Sequence, residues 1–574
     1  MRDGAFTAER LLALYDRVAE AEDAIPRLRR FVLDLAVRGK LVEQDASDEP
    51  AAELLKRIAG SAAQQPARRG KQRDTSAANA LEELPFDAPD GWTFAALGQL
   101  VRVLNGRAYK QQELLSSGTP VLRVGNLFTS NHWYYSDLEL DDDKYCEAGD
   151  LIYAWSASFG PFIWDGPRAI FHYHIWKLPL ISEADLSKWY LFLFLQQKTR
   201  EIKEAGHGIS MVHMTKEKME KLIVPLPPLA EQRRIVAKVN ELMALCDRLE
   251  GARAMREAVR DRLTAATLTR LTAPEIDAET FPIHARFALQ TLPTLTTRPD
   301  QIKTLRQTIL NLAVRGKLVP QDPTEEPAAE LLKRIGEERV AKAKGAKVRA
   351  KRPVPFADQT SIASLPDSWR IEAIGNLVDP TATISYGVLV PGPDVTDGIP
   401  FVRAQDLALS GHPERPNKTI APEIEAPYAR TRLRGGEILL CVVGSIGKLG
   451  VAPQSWAGAN IARAVARIAP VESISSDYLL LAMRSDLIQT YCAEATRTLA
   501  QPTLNVGLIE VLPIPLPPLA EQHRIVAKVD ALMSLCDQLE ASLTTTTTTR
   551  SRLLEALLHE ALGGAPGAQA EAAA

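Results

Sequence analysis

Hydrophobic positions along this chain change period in the same order twice. After PLPPLAEQ at Pro225–Gln232, the residues Ile235, Val239, Leu242, Cys246 and Leu249 fall at spacings of 4, 3, 4 and 3. After the second PLPPLAEQ, at Pro515–Gln522, Ile525, Val529, Leu532, Cys536 and Leu539 repeat that spacing. Heptads of this kind put apolar side chains on one seam of a long helix, as a coiled coil requires. Proline ahead of the run and Glu in its first turn make a helix start. The pattern predicts helices over about 229–270 and 519–562, each a rod of roughly 60 Å. Threonines at Thr544–Thr549 are expected to weaken the second in its middle. Helical periodicity also marks 8–58, with Leu11, Leu14, Val18, Ile25, Leu28 and Val32 on one side, and 301–335. Gly39 and Gly316 are expected to end those helices.

Between the helical regions, over about 95–222 and 372–512, the pattern shortens. VLRVGNL, DLIYAW and RAIFHYHIWKL in the first stretch, and EILLCVV, LGVAP and RAVARIA in the second, read as short strands between turn residues. Helical patches at Lys188–Ala205 and Asp477–Cys492 follow. Each stretch therefore predicts a compact α/β domain.

The frame around these domains is duplicated in sequence as well as in pattern. LAVRGKLV occupies Leu35–Val42 and Leu312–Val319, and AAELLKRI occupies Ala51–Ile58 and Ala328–Ile335. Trp92 and Trp369 keep the same offset of 277, which drifts to 290 by the second PLPPLAEQ. The drift lies inside the inserts, where loops absorb length at small entropic cost. The predicted architecture is α+β with an internal pseudo-two-fold repeat. It comprises an N-terminal helical region with a basic linker (1–84), a first insert domain (85–225), a central helical region (226–365), a second insert domain (366–515), a C-terminal helix (516–563) and a disordered tail (564–574). The central region holds a second helical segment at about 301–335 and a basic linker at 340–353.

A chain of 574 residues exceeds one core, in keeping with several domains. No apolar run approaches the ~20 residues of a membrane helix, and MRDGAFTAERLLALYDRVAE lacks the layout of a signal peptide. Five cysteines without paired spacing predict no disulfide or zinc framework, and a cytoplasmic location is expected. GSIGK at Gly444–Lys448 lacks the glycine spacing and trailing Ser or Thr of a P-loop. No methyltransferase motif and no nucleophile with its base is present. His172 and His174 alternate along the RAIFHYHIWKL run and so would share a strand face, without further ligands at metal-binding spacing.

The duplicated PLPPLAEQ-[RH]RIVAKV and LAVRGKLV, with GDLIYAWSASFG and GEILLCVVGSIGKLG in the inserts, resemble the specificity subunit of type I restriction–modification systems. The resemblance implies two target-recognition domains joined by long helices that form an antiparallel coiled coil. It also implies a non-catalytic chain whose partners are double-stranded DNA, two methyltransferase subunits and restriction subunits. S-adenosylmethionine would belong to the methyltransferase partner, and ATP with Mg2+ to the restriction partner. Two unlike domains on one frame imply an asymmetric bipartite DNA site. A coiled-coil scaffold that does not bind DNA, or a degenerate fused restriction–methylation enzyme, are the alternatives.

Base edges are read by Arg and Lys on guanine and by Asn and Gln on adenine. The expected DNA-contacting residues are Arg107, Tyr109, Lys110, Arg123 and Asn126 in the first insert. In the second they are Arg403, Gln405, Lys448, Arg463, Arg497 and Gln501. Each insert carries three more acidic than basic residues, so positive charge must be concentrated on one face or affinity must come from partners.

Overall fold

The computed structural model describes residues 20–64 apart from 22, 86–205 apart from 157 and 158, 214–272, 280–348, 352–357, 365–496 and 502–562. Leu11, Leu14, Val18, the basic stretch Pro66–Arg73 and the tail from 564 lie outside these residues. The chain separates into two units, one of Met1–Met255 with Thr547–Ala574 and one of Arg256–Thr546.

The first unit begins with helices α1 (Ala24–Val37) and α2 (Ala51–Gln64). Its head opens with β1 (Thr93–Ala96) and closes with β10 (Ile223–Leu226), and these two strands pair antiparallel, Thr93 opposite Leu226. One sheet of the head has the order β2 (Leu104–Asn105), β9 (Ile175–Lys177), β6 (Leu151–Ala154), β7 (Gly160–Ile163). The other has the order β4 (Tyr134–Ser136), β3 (Thr119–Leu122), β8 (Ala169–Phe171), β5 (Tyr145–Cys146). Helix α3 (Lys188–Ala205) follows, and the long helix α4 (Leu229–Thr272) leaves the head.

The second unit repeats this plan. Helices α5 (Phe281–Leu295), α6 (Pro299–Ala313) and α7 (Ala328–Gly345) lead to β11 (Arg370–Ala373). β11 pairs antiparallel with β19 (Pro513–Leu516), Arg370 opposite Leu516. One sheet runs β12 (Ser385–Tyr386), β18 (Val465–Ile468), β15 (Ile438–Cys441), β16 (Leu449–Val451); the other runs β14 (Lys418–Ile420), β13 (Ile399–Val402), β17 (Asn460–Ile461). Helices α8 (Ser476–Arg484) and α9 (Asp486–Thr496) precede the long α10 (Leu519–Ala561). Where the first head has β5, the second has short helices at Pro422–Glu425 and Ala426–Thr431. There the buried Glu425 accepts hydrogen bonds from Asn460 Nδ2 and Arg432, covering the edge of β17.

The repeated motifs are the joints of this frame. Trp92 Nε1 donates to Glu231 Oε2 (2.9 Å) and Gln44 to Glu231 Oε1 (2.7 Å). Trp369 and Gln321 make the same bonds to Glu521 at 3.0 and 2.6 Å. Gln232 accepts from Ser187 N and donates to Pro227 O; Gln522 does so with Ser475 and Pro517. Tyr190 and Tyr478 close each joint on the carbonyls of Pro225 and Pro515. All four Glu and Gln side chains are buried, and burial raises both carboxyls above the usual glutamate range. Buried polar groups need this full set of partners, so the Glu-Gln pair recurs unchanged. Gly39 and Gly316, both at φ +67°, turn the chain where a Cβ would lie 2.4 Å from Pro89 and Pro366.

The heptad seams bury within their own units. Ile235 and Val239 pack with Val32, Leu33, Ala36 and Val37 of α1 and with the head core, flanked by the half-buried Leu242. Ile525, Val529 and Cys536 pack with Ile302, Ile309, Leu310 and Ala313 from α6, flanked by Leu532 and Leu539. Cys246 is buried and Leu249 half-buried on the same line. Each unit also draws on the far end of the other long helix. Leu554, Leu557 and Leu558 of α10 pack on Ala21 and Ala24, and Leu268 and Leu271 of α4 pack on Ala288 and Leu312.

Four expectations are corrected. Helix α10 is continuous through the threonines, because Thr544 and Thr545 donate to the carbonyls of Glu540 and Ala541. The segment at 301–335 is two helices, α6 and α7, broken by the turn at Gly316 and by Pro320, Pro323 and Pro327; α5, which starts with Pro282, precedes them. The basic linker at 340–353 is helical to Gly345 rather than a loop, and Lys342 pairs with Glu338 and Glu472. His172 and His174 do not lie on one strand: the RAIFHYHIWKL run leaves one sheet with β8, turns at Tyr173–His174, and enters the other with β9. No helix among the described residues is long and apolar enough to cross a membrane.

Candidate nucleic-acid interface

In each head two neighbouring strands run parallel, β3 beside β8 and β13 beside β17. Parallel neighbours end on the same side, so the residues that follow the two strands are brought together there. In the first head β3 leads into Arg123 and β8 into His172, and His172 N donates to Leu122 O (2.9 Å). In the second β13 leads into Arg403 and β17 into Ala462, and Ala462 N donates to Val402 O (2.9 Å).

A third segment clamps the turn that carries the chain between sheets. Arg107 N donates to Phe171 O and Tyr173 N donates back to Arg107 O. Val388 N donates to Ile461 O and Arg463 N donates back to Val388 O. The glycine before each clamp residue touches the turn backbone. A Cβ on Gly106 would lie 2.3 Å from His172 O, and one on Gly387 would lie 1.6 Å from Ile461 O. The backbone is thus the same in both heads: Gly106-Arg107 against His172-Tyr173-His174, and Gly387-Val388 against Ala462-Arg463-Ala464.

Upon this shared backbone the side chains differ in kind. The first head carries rings: Tyr109 stacks on His172 (6.2 Å), Trp155 meets His174 edge-on (5.1 Å), and Tyr173 is exposed. Trp155 Nε1 donates to Tyr173 O (2.8 Å), fixing the shelf. Burial, then the neighbouring His174 and the Arg123 guanidinium, push the His172 imidazole down to about 4, so it is neutral at pH 7. Burial also raises the Tyr109 hydroxyl well above the tyrosine range. The second head carries an exposed Arg463 beside Leu389 and Val390, which are 54% and 70% exposed.

Three of the residues expected to contact DNA in the first head, Arg107, Tyr109 and Arg123, gather around His172. Arg107 pairs with Glu113 (2.7 Å), so its charge is partly used within the head. Lys110 is exposed at the rim. Asn126 is a bracing residue, since its Oδ1 accepts from Arg123 N and its Nδ2 donates to His132 O. The Arg123 guanidinium lies over the Tyr134 ring (4.4 Å), with no hydrogen bond to its buried Nε.

In the second head Arg403, Gln405 and Lys448 gather as well, but largely on one another. Asp406, at the position of Asn126, takes Arg403 Nε and Nη2 in a two-pronged pair at 3.0 Å. Gln405 is exposed, and Lys448 Nζ donates to the carbonyls of Ala404 and Gln405. Arg497 and Gln501 lie outside the described residues.

Sequence reasoning missed Tyr173 and His174 as surface elements and missed Leu389 and Val390 altogether. Their signal was available: RAIFHYHIWK and ANIARAVARI have matching apolar flanks and unlike centres. Among the described residues no group of three or more His, Cys, Asp or Glu is placed to hold a metal.

The family described as the type I restriction modification DNA specificity domain matches residues 89–254 and 393–546, more than half of the chain. The chain is 29% identical over 572 residues to the specificity subunit of the type I restriction enzyme EcoEI of Escherichia coli, covering 94% of each. It is 27% identical over 570 residues to that of EcoAI from the same organism, again covering 94% of each. A crystal structure of the HsdS subunit from Thermoanaerobacter tengcongensis is 20% identical, with a TM-score of 0.41 and coverage of 84% of this chain and 98% of that one. The matched segments hold the first head, most of the second and the first part of each long helix, and this chain belongs to the DNA specificity family of type I restriction–modification systems.

Proposed function

We propose that this chain reads a bipartite DNA sequence on behalf of separate methyltransferase and restriction subunits. Each head reads one half-site and the long helices set the spacer. The observation that carries this reading is the pair of heads with matching strand order apart from β5, one clamped turn and unlike exposed side chains at that turn. Matching backbones with different chemistry present two different readers, and hence an asymmetric site.

The repeated joints extend the proposal to the partners. Arg29 pairs with Asp247 and Glu250 in the first unit, and Arg306 pairs with Asp537 and Glu540 in the second. Two like surfaces of this kind suit two copies of one methyltransferase subunit. That partner would supply S-adenosylmethionine and extrude the target adenine; the restriction partner would supply ATP and Mg2+ chemistry. The assembly would work in the cytoplasm.

Replacing residues 85–225 by the first head of a relative tests the reading. With methyltransferase subunits supplied, sequencing of methylated adenines is expected to show one half of the motif changed, the other half kept and the spacer kept. A change in both halves, or in neither, overturns it.

A further inference from the structure

The turn is clamped by backbone hydrogen bonds in both heads, it exposes Tyr173 in one and Arg463 in the other, and the clamp itself does not require that difference. The hydrogen bonds of Arg107 and Val388 to the turn are made by backbone atoms alone, so they do not dictate the side chains of residues 173 or 463. Tyr173 and Arg463 occupy the same place, at the tip of the turn where the chain passes from β8 to β9 and from β17 to β18. Rigid backbone with outward side chains is the arrangement that holds a reading group in place.

We infer that these turns are the base-reading elements of the two heads, with Tyr173 and His174 determining specificity in the first half-site and Arg463 in the second. The inference rests on the proposed DNA-reading function and names the residues that perform it. Arg463 is exposed, and the exposed Leu389 and Val390 follow directly on Val388, whose carbonyl accepts from Arg463 N. A fork matches the O6 and N7 acceptors of guanine in the major groove, and neighbouring apolar groups match a thymine methyl. Exposed Leu and Val on a loop otherwise forgo burial, which an occupant with a methyl group restores.

The first head reads by different chemistry. Its turn carries rings with His174 against Trp155 and Tyr173, and burial lowers the His174 imidazole below its usual range, so no positive charge is offered at pH 7. Neutral imidazole and phenol groups both donate and accept, which suits mixed donor–acceptor base edges. Arg123, beside the turn and unpaired with any acid in its capping box, supplies the positive charge there.

The test uses the assembled methyltransferase with Arg463→Ala, Arg463→Lys, Tyr173→Ala and His174→Ala chains, acting on a randomised DNA library. Sequencing the methylated adenines gives the motif for each variant. Arg463→Ala is expected to lower preference at one position of the second half-site by about tenfold to a hundredfold, leaving the first half-site as before. Tyr173→Ala and His174→Ala are expected to do the converse. Arg463→Lys tests the fork: Lys reaches the guanine acceptors without the planar fork, so preference at that position should fall less than in the Ala variant, whereas a phosphate contact would leave the motif unchanged in both and lower methylation of all sequences alike. An unchanged motif in all Ala variants that still assemble, whether or not methylation of all sequences falls alike, overturns the inference. If the unaltered assembly methylates no bipartite motif, it is the proposed function that fails.

Discussion

The two heads differ at one matched residue whose consequence is larger than its size. Asn126 and Asp406 both accept a hydrogen bond from the backbone N–H of the arginine three residues before, Arg123 and Arg403. The aspartate also takes the guanidinium of Arg403, whereas Arg123, beside a neutral amide, settles on the Tyr134 ring. The cap is the same, although an α-helix (Val124–Phe128) follows it in the first head and a single 3-10 turn (Ala404–Asp406) in the second, because backbone capping asks only for an acceptor. The availability of a cation is different, because only a carboxylate carries the charge that holds it. Frame and surface thus answer to different demands, and one side chain can serve both.

The strongest way to break the comparison is at the clamps. Gly387→Ala and Gly106→Ala both place a Cβ against a carbonyl, more closely in the second head. Each is expected to destabilise its own head by about 2–4 kcal/mol, the second head more, as read by denaturant unfolding with hydrogen exchange assigning the loss to one head. Equal or negligible losses would mean that the turn is not clamped as described.

A second contrast is acid sensitivity. His172 titrates near 4 in the folded head against an ordinary value of 6.5, so the unfolded chain takes up the proton first as pH falls. Its contribution to stability is whole above about 6.5 and is lost progressively as pH falls towards 4. Hydrogen exchange across β8 and β9 is expected to accelerate over that window, and His172→Gln to flatten the change. The matching turn of the second head carries Ala462 and has no such group. Its exchange at β17 and β18 should hold steady down to about pH 4.5, below which the Glu425 carboxylate that holds Asn460 begins to lose its contribution.

The smallest effect sharpens the opening contrast. Asn126→Asp should draw Arg123 into a carboxylate pair and weaken DNA binding by the assembled methyltransferase, while Asp406→Asn should release Arg403 and strengthen it. Each change is expected to be about twofold to fivefold, the range of a solvent-accessible ion pair, read by titration at fixed salt. The same sign for both exchanges would end the argument.

The frame was largely legible in the sequence because its demands are local and made twice. Heptad spacing located the long helices, Gly39 and Gly316 located turns, and PLPPLAEQ and the paired tryptophans were visible as repeats, although their role as joints was not. The reading surface was less legible. Ile170, His172, His174 and Trp176 keep an alternating rhythm straight through a change of sheet, so periodicity could not reveal the turn. Arg403 and Lys448 looked like DNA contacts by residue type, yet both are engaged within the head, and only packing shows that. Helix α5 was hidden by Pro282, which is tolerated at its first turn.

The reciprocal loan of helix ends has an architectural outcome. Leu554 and Leu557 come from a helix that starts at the second head, and Leu268 and Leu271 from one that starts at the first. Neither half can finish its helical base from its own head and opening helices alone. Sequence drift or replacement inside one head leaves the other's foundations intact, while damage to a long helix is felt at both addresses. A new half-site can therefore be acquired by trading a head, with the helical base of each unit carried over unaltered.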